Sequence, residues 1–100
     1  MADYCLSLIC PPAVEERLLD ALLANAGSEV FTSTPTHSHG IARGRLSANE
    51  QVLGRSRAVQ VDVVLTEAEW SGLKALLQRE FAGTGVRYRG VRLAFDGEFT

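Results

Sequence analysis

Hydrophobic and polar residues alternate in three stretches of the chain, and this period of two predicts three β-strands. The first stretch covers residues 3–10, with one mainly apolar face: Tyr4, Leu6, Leu8 and Cys10. The second runs from Ala58 to Leu65, again with one apolar face: Val59, Val61, Val63 and Leu65. In the third stretch, residues 86–95, the apolar parity changes at Gly90, which predicts a β-bulge there.

A weaker strand signal covers residues 29–36, where β-branched residues and Phe31 favour extended backbone. Proline cannot donate a ladder hydrogen bond, so Pro35 predicts that this strand lies at a sheet edge or ends there. Four strands are therefore expected in all.

Apolar residues spaced near 3.6 predict two helices. The first follows Pro11 and Pro12, ends before Gly27, and has an apolar stripe made by Val14, Leu18, Ala21 and Leu22. The second starts at Thr66, where Glu69 three positions later predicts a capping box. Its stripe consists of Trp70, Leu73, Leu77 and Phe81, and Gly83 and Gly85 follow its end.

The element order β-α-β-β-α-β predicts a ferredoxin-like α+β fold, with an antiparallel sheet and both helices on one face. One hundred residues suffice for one domain, covering residues 1–100. The connection between the second and third strands, residues 37–57, has about twenty residues where a hairpin normally needs two to five. A connection of this length indicates a functional loop.

Composition narrows the class of protein. Hydrophobic residues make up 46% of the chain and charged residues 22%, which is typical of a globular domain. A net charge of −2 argues against a strongly basic nucleic-acid binder. No apolar run is long enough to span a membrane, no signal-peptide pattern opens the chain, and two cysteines do not form a disulfide framework. We therefore expect a reduced, cytoplasmic protein without direct membrane insertion.

The long loop concentrates the unusual chemistry. Segment 37–57 has a net charge of +3, from four arginines and Glu50, and anions are the natural ligands of such a segment. In extended backbone His37 and His39 point the same way, so both imidazoles can bind one divalent ion such as Zn or Cu. Glu50 or a neighbouring subunit would complete that site. The alternative is an ordinary solvated loop without a ligand.

The motifs of common ferredoxin-like and catalytic proteins are missing. The sequence has no Cys-x-x-Cys, no phosphate-binding Walker loop and no Gly-x-Gly-x-x-Gly fingerprint. The third strand has no aromatic residue for RNA stacking. No Ser/His/Asp set is suggested, and no base is positioned to activate Cys5 or Cys10. We therefore do not expect an enzyme.

The chain resembles the PII-like signalling superfamily (nitrogen regulatory protein PII-like) from Cys5 to Phe95. The similarity is carried by residues 40–45 (Gly-Ile-Ala-Arg-Gly-Arg), residues 50–55 (Glu-Gln-Val-Leu-Gly-Arg) and the strand-to-helix run of residues 59–66. It is similar above all to an uncharacterised branch often encoded beside heavy-metal efflux systems. The resemblance implies a homotrimer with clefts between subunits, each covered by a T-loop, here segment 37–57.

Nucleotide-binding members carry a glycine-rich phosphate loop before the last strand. The corresponding residues 81–89 keep glycines and supply Arg87 and Arg89, but they lack that loop's aspartate and lysine. ATP binding in the classical PII manner is therefore not expected. The tyrosine that is modified in some T-loops has no counterpart here.

Two functional hypotheses follow. In the first, the protein is a non-enzymatic regulator or sensor in which a small anionic or metal ligand at a subunit cleft orders segment 37–57. The residues expected to hold that ligand are Arg43, Arg45, Arg55, Arg87 and Arg89 for an anion, and His37 and His39 for a metal. The ordered segment then contacts a protein partner, by family context a heavy-metal efflux transporter. In the second, the arginine-rich loop docks on an acidic partner without any ligand.

Overall fold

The computed structural model describes residues 2–25, 31–39 and 55–100. These ranges form strands β1 (Tyr4–Cys10), β2 (Phe31–His39), β3 (Arg55–Leu65) and β4 (Arg87–Arg92). Helix α1 (Glu15–Ala24) follows β1 through a single 3-10 turn at Pro12–Val14, and helix α2 (Glu67–Phe81) joins β3 to β4. Helix α1 ends with Asn25 as its C-cap, and Gly27, which was predicted to follow the helix end, lies outside the described residues. No helix within the described ranges has the length and apolar character needed to cross a membrane.

The four strands form one antiparallel sheet in the order β2-β3-β1-β4, which is the ferredoxin-like arrangement predicted from the sequence. The strands β1 and β3 occupy the centre, with Leu8 opposite Val61. The strand β2 lies at one edge, as Pro35 predicted, although the strand continues beyond that proline to His39.

The hydrophobic core lies on one face of this sheet. It combines alternate side chains of the two central strands with the inward stripes of both helices: Leu6, Leu8, Cys10, Val59, Val61, Val63, Leu65, Leu18, Leu22, Leu73, Leu77 and Phe81. Because successive strand residues point to opposite faces, the intervening residues lie on the face that neither helix covers: Cys5, Ser7 and Ile9 of β1, and Gln60, Asp62 and Val64 of β3. We call this second surface the open face.

The start of α2 has the predicted capping box. The hydroxyl of Thr66 accepts a hydrogen bond from the Glu69 backbone N–H at 3.2 Å, and the Glu69 carboxylate accepts one from the Thr66 N–H at 2.8 Å. Two backbone donors at the helix start are thereby satisfied. Further along α2, Trp70 rests against the core and contacts Tyr88 of β4, with ring centroids 5.4 Å apart.

Two sequence-based expectations need correction. The predicted bulge at Gly90 is wrong, because the register of β4 with β1 is unbroken from Ile9 opposite Arg87 to Tyr4 opposite Arg92. The strands β2 and β3 also extend into both ends of segment 37–57, where residues 37–39 pair with residues 55–57. The central part of that segment, residues 40–54, lies outside the described residues.

Leu22 and Leu23 provide a matched test of the core, because they are neighbours on α1 and only Leu22 is buried. Leu22 is 0% exposed and Leu23 is 69% exposed. We expect Leu22→Ala to lower the free energy of unfolding by about 2–5 kcal/mol, because a cavity remains in the core. Leu23→Ala should change it by no more than about 0.5 kcal/mol. Urea unfolding followed by circular dichroism measures both, and equal losses would contradict the core as described.

Candidate functional site

An open cleft of about 800 Å³ lies where four segments of the chain meet at one end of the sheet. These segments are the end of β1 with the prolines after it, the end of β2, the start of β3, and the start of β4 with Gly85 before it. The lining residues are Ser7, Ile9, Cys10, Pro11, Pro12, Ala13, Thr36, His37, Ser38, His39, Ser56, Arg57, Ala58, Gln60, Gly85, Arg87, Tyr88 and Arg89.

The antiparallel register explains why residues distant in sequence meet here. Ile9 of β1 is paired with Gln60 on one side and with Arg87 on the other. One row further into the sheet, Ser7 is paired with Asp62 and with Arg89. Paired residues of an antiparallel sheet point to the same face, so both rows contribute to the open face.

The cleft is basic although the chain as a whole is acidic. Arg57, Arg87 and Arg89 line it, and no aspartate or glutamate is among the described lining residues. All three arginines are exposed. Within the described ranges, the side chains of Arg87 and Arg89 make no hydrogen bond or ion pair. The arrangement offers two guanidinium groups to an anion without a competing carboxylate in the described wall.

The sequence-based site residues divide into three groups. Arg87, Arg89, His37 and His39 all line the cleft. Arg55 begins β3, where it is paired with His39. The other three predicted residues lie outside the described residues: Arg43, Arg45 and Glu50.

The two histidines occupy the same side of β2 and are exposed. The strand places Arg57 directly opposite His37 and Arg55 opposite His39. Within the described part of the chain, no group of three His, Cys, Asp or Glu residues is positioned to hold a metal ion. The described residues therefore supply two imidazole ligands, fewer than the three or four protein ligands usual for zinc.

Sequence alternation places Ser7, Gln60 and Asp62 on the open face, but it does not show that they form a hydrogen-bonded cluster. The hydroxyl of Ser7 donates to the Asp62 carboxylate at 2.5 Å, and the amide of Gln60 donates to both carboxylate oxygens at 3.3 Å. These hydrogen bonds fix the position of the Asp62 carboxylate on β3. Ser7 and Gln60 are also lining residues of the cleft. Their signal in the sequence is only that they alternate with buried leucines and valines.

The turn before β4 is pressed against the end of β1. Gly83 and Gly85 have positive φ angles of 78° and 88°, which residues with a Cβ rarely adopt. A Cβ added to Gly85 would lie 3.3 Å from Cγ of Pro11. Between the glycines, Thr84 donates through its backbone N–H and its hydroxyl to the Phe81 carbonyl. This tight turn sets where β4 begins and hence where Arg87 enters the cleft.

Neither cysteine has the environment of an activated nucleophile. Burial raises the pKa of the Cys5 thiol above its ordinary value of 9.0, and the Asp62 carboxylate adds to that rise. Burial also raises the pKa of Cys10, with a smaller contribution from Glu15. A thiolate is the reactive form, so a raised pKa suppresses reaction near neutral pH.

These thiols make a testable contribution to pH dependence. Because their pKa is higher in the folded chain than in the unfolded chain, the stability they contribute is present below about pH 9 and is lost as pH rises through the folded pKa. We expect the free energy of unfolding to fall at alkaline pH, and to fall less in Cys5→Ser. Urea unfolding at a series of pH values measures this, and identical slopes for both proteins would contradict it.

The sequence pattern of a family of proteins of unknown function, DUF3240, matches residues 1–97. A DUF3240 family protein from Shewanella baltica OS155 superposes with a TM-score of 0.79 at 13% identity, over 100% of this chain and 99% of that one. No curated protein matches the sequence.

Two further structures share the fold. CPII from Thiomonas intermedia K12, a nitrogen regulatory PII-like protein bound to ADP, AMP and bicarbonate, gives a TM-score of 0.66 at 17% identity, covering 96% of this chain and 97% of that one. CutA1 from Pyrococcus horikoshii gives 0.68 at 10% identity, covering 95% and 87%. The predicted resemblance to PII-like proteins is thus confirmed in the fold.

Proposed function

The chain belongs to the DUF3240 family and has the fold of PII-like proteins, and from this premise we propose that it is a non-enzymatic cytoplasmic regulatory protein. In this proposal a small anion binds in the cleft and alters segment 37–57, which contacts a partner protein. The protein acts as a homotrimer, and the partner is a heavy-metal efflux transporter. The fold supports a regulatory role, and the cleft supports the choice of ligand.

The observation that carries the proposal is a cleft with three arginines and no described carboxylate, in a chain of net charge −2. Acidic residues outnumber basic ones in this protein. The overall composition therefore does not explain why the residues that line the cleft include arginines and no described carboxylate. Guanidinium groups form paired, charge-assisted hydrogen bonds with carboxylates and phosphates. A small phosphate- or carboxylate-bearing molecule is the ligand class that fits.

The same strands connect the cleft with segment 37–57. His37 and Arg57, the paired residues at the boundaries of that segment, both line the cleft. An anion bound by Arg87 would therefore occupy the same cleft as the base of the segment. If the anion binds more tightly to one conformation of segment 37–57 than to others, its binding increases the population of that conformation. Ligand binding would thereby change how the segment contacts the partner protein.

The first test is calorimetry with anions. ADP, AMP and bicarbonate are suitable probes because a PII-like protein of similar fold binds them, and inorganic phosphate and citrate extend the series. We expect at least one to bind, and Arg87→Ala to weaken that binding about 10–100-fold, because one charged hydrogen-bonding group is removed. Affinity should also fall with added salt.

The matched control is Arg79→Ala, which removes an exposed arginine from the last turn of α2, outside the cleft. This variant should bind like the parent protein. Absence of binding for every probe, or equal weakening by both substitutions, would contradict an anion site in the cleft.

A second candidate ligand is a divalent metal, which is favoured by the two exposed imidazoles on one side of β2. His37 and His39 would supply two ligands, and Glu50 or a neighbouring subunit the others. Calorimetry with Zn²⁺ and Cu²⁺ should then show binding that His37→Ala/His39→Ala abolishes. Anion binding should survive in that variant. Unchanged metal binding would rule out these histidines as ligands.

The alternative function is a ligand-free interaction module whose arginines dock on an acidic partner. This alternative predicts that partner binding needs Arg43, Arg45 or Arg55 and is the same with and without the anion. In the regulatory proposal, a saturating anion changes partner affinity. Partner binding measured with and without the anion therefore separates the two.

A further inference from the structure

Helix α1 packs against its own protomer on two sides. Leu18 and Leu22 point into the core and are 0% exposed. Arg17 points towards α2, where its guanidinium donates to the Glu80 carbonyl at 3.2 Å and lies 5.1 Å from the centre of the Phe81 ring. The core and α2 therefore account for two flanks of the helix.

Leu19 and Leu23 lie on the flank of α1 opposite α2. An α-helix turns about 100° per residue, so Leu19 projects roughly 200° away from Arg17, and Leu23 follows Leu19 about one turn later. Leu19 packs partly against the core, whereas Leu23 is 69% exposed. Helix α2 lies towards β4, because Trp70 contacts Tyr88. In the sheet order β2-β3-β1-β4, the leucine flank of α1 therefore faces β2.

The strand β2 is largely uncovered on the side that faces this flank. Three of its residues are paired with buried valines of β3 and so point to the same side of the sheet as the core. These pairs are Phe31 with Val63, Ser33 with Val61 and Pro35 with Val59. Phe31 is partly buried against the core, whereas Ser33 and Pro35 are exposed. We call Leu19, Leu23, Phe31, Ser33 and Pro35 the lateral surface.

The lateral surface has an acidic border. Glu16 and Asp20 precede Leu19 and Leu23 by three positions and hence lie beside them on α1. Both carboxylates are exposed, and within the described ranges neither makes a hydrogen bond or an ion pair. The one basic residue of α1, Arg17, is turned towards α2. The leucine strip therefore meets solvent beside two negative charges.

This combination of charge and apolar surface selects the kind of partner that fits. A membrane that contains anionic lipids repels the carboxylates, and the same flank of a second copy carries the same charges. A helix with apolar residues at positions i and i+4, and with lysines or arginines beside them, complements both the leucines and the carboxylates.

We propose that the lateral surface binds a basic amphipathic helix of a partner protein. The apolar residues of that helix pack on Leu19 and Leu23, and its basic residues lie beside Glu16 and Asp20. This inference goes beyond the proposed function, which assigns partner contact to segment 37–57, and it does not depend on the anion site in the cleft.

Fluorescence anisotropy with a labelled synthetic peptide tests the proposal on the full chain. The probe is a helix-forming peptide of alanine, leucine and lysine, about 16 residues long, with its leucines on one face and its lysines along the border of that face. We expect it to bind, and Leu23→Ala to weaken binding about tenfold, because an apolar anchor is removed from the contact. A peptide of the same composition in scrambled order should bind far more weakly.

The matched control is Val91→Ala, which removes an exposed apolar side chain from β4. This variant should bind the peptide like the parent protein. No binding of the ordered peptide, equal binding of the scrambled one, or equal weakening by both substitutions would overturn the proposal.

Charge reversal tests the acidic border separately. In Glu16→Lys/Asp20→Lys, binding of the lysine peptide should fall about tenfold or more, and a peptide with glutamate in place of every lysine should now bind. Gain of the glutamate peptide also reports that the variant is folded. The control Glu67→Lys/Glu80→Lys reverses two exposed charges on α2 and should keep the preference of the parent. A preference that does not reverse, or that reverses in both variants, would contradict the border.

Other occupants of the lateral surface give different results. Analytical ultracentrifugation in which Leu23→Ala weakens self-association would assign the surface to a second copy of the chain and overturn the proposal. Leu23-dependent sedimentation with phosphatidylcholine vesicles, without peptide binding, would assign it to a lipid surface and also overturn it. Calorimetry with anions reports on the cleft alone, so the two proposals fail independently.

Discussion

The apolar side chains of β1 and β3 leave water by packing against α1 and α2, and both helices lie on the same face of the sheet. Once Leu6 and Leu8 are buried there, alternation sends Cys5, Ser7 and Ile9 to the other face. That face receives no helix. Burial of a single face thus determines that the polar cluster around Asp62 and the residues Arg87 and Arg89 lie on the open face.

The electrostatic character of the cleft follows from which strands meet at that end of the sheet. The start of β4 contributes Arg87 and Arg89, and the start of β3 contributes Arg57. Acidic residues are placed elsewhere: Glu15 and Glu16 lie in the first turn of α1, and Glu67 and Glu69 in the first turn of α2, where they suit the positive end of each helix dipole. Separation of charge within one small domain therefore produces a basic cleft in an acidic protein.

Sequence reasoning succeeded where burial and local hydrogen bonding leave a periodic pattern. The alternating valines of β3 and the Thr66–Glu69 capping box are confirmed for this reason. It failed at Gly90, because β4 is exposed along its whole length and its apolar residues do not mark a buried face. Tyr88 faces α2 and contacts Trp70, whereas Val91 lies on the open face. The apolar residues change parity at Gly90 because they belong to opposite faces of the sheet, and the register with β1 is unbroken.

Local sequence was enough to identify the strands, the helices, their order and the side of each that is buried, since neighbouring residues carry those signals. It was also enough to mark the histidines and arginines as unusual. The position of Arg87 beside Ile9, the bonding of Ser7 to Asp62 and the pairing of His37 with Arg57 emerged only from the folded sheet. Each of these contacts joins residues on different strands. The strands are aligned by backbone N–H and C=O groups, which are the same for almost every residue type, so the side chains of one strand do not reveal its register with another.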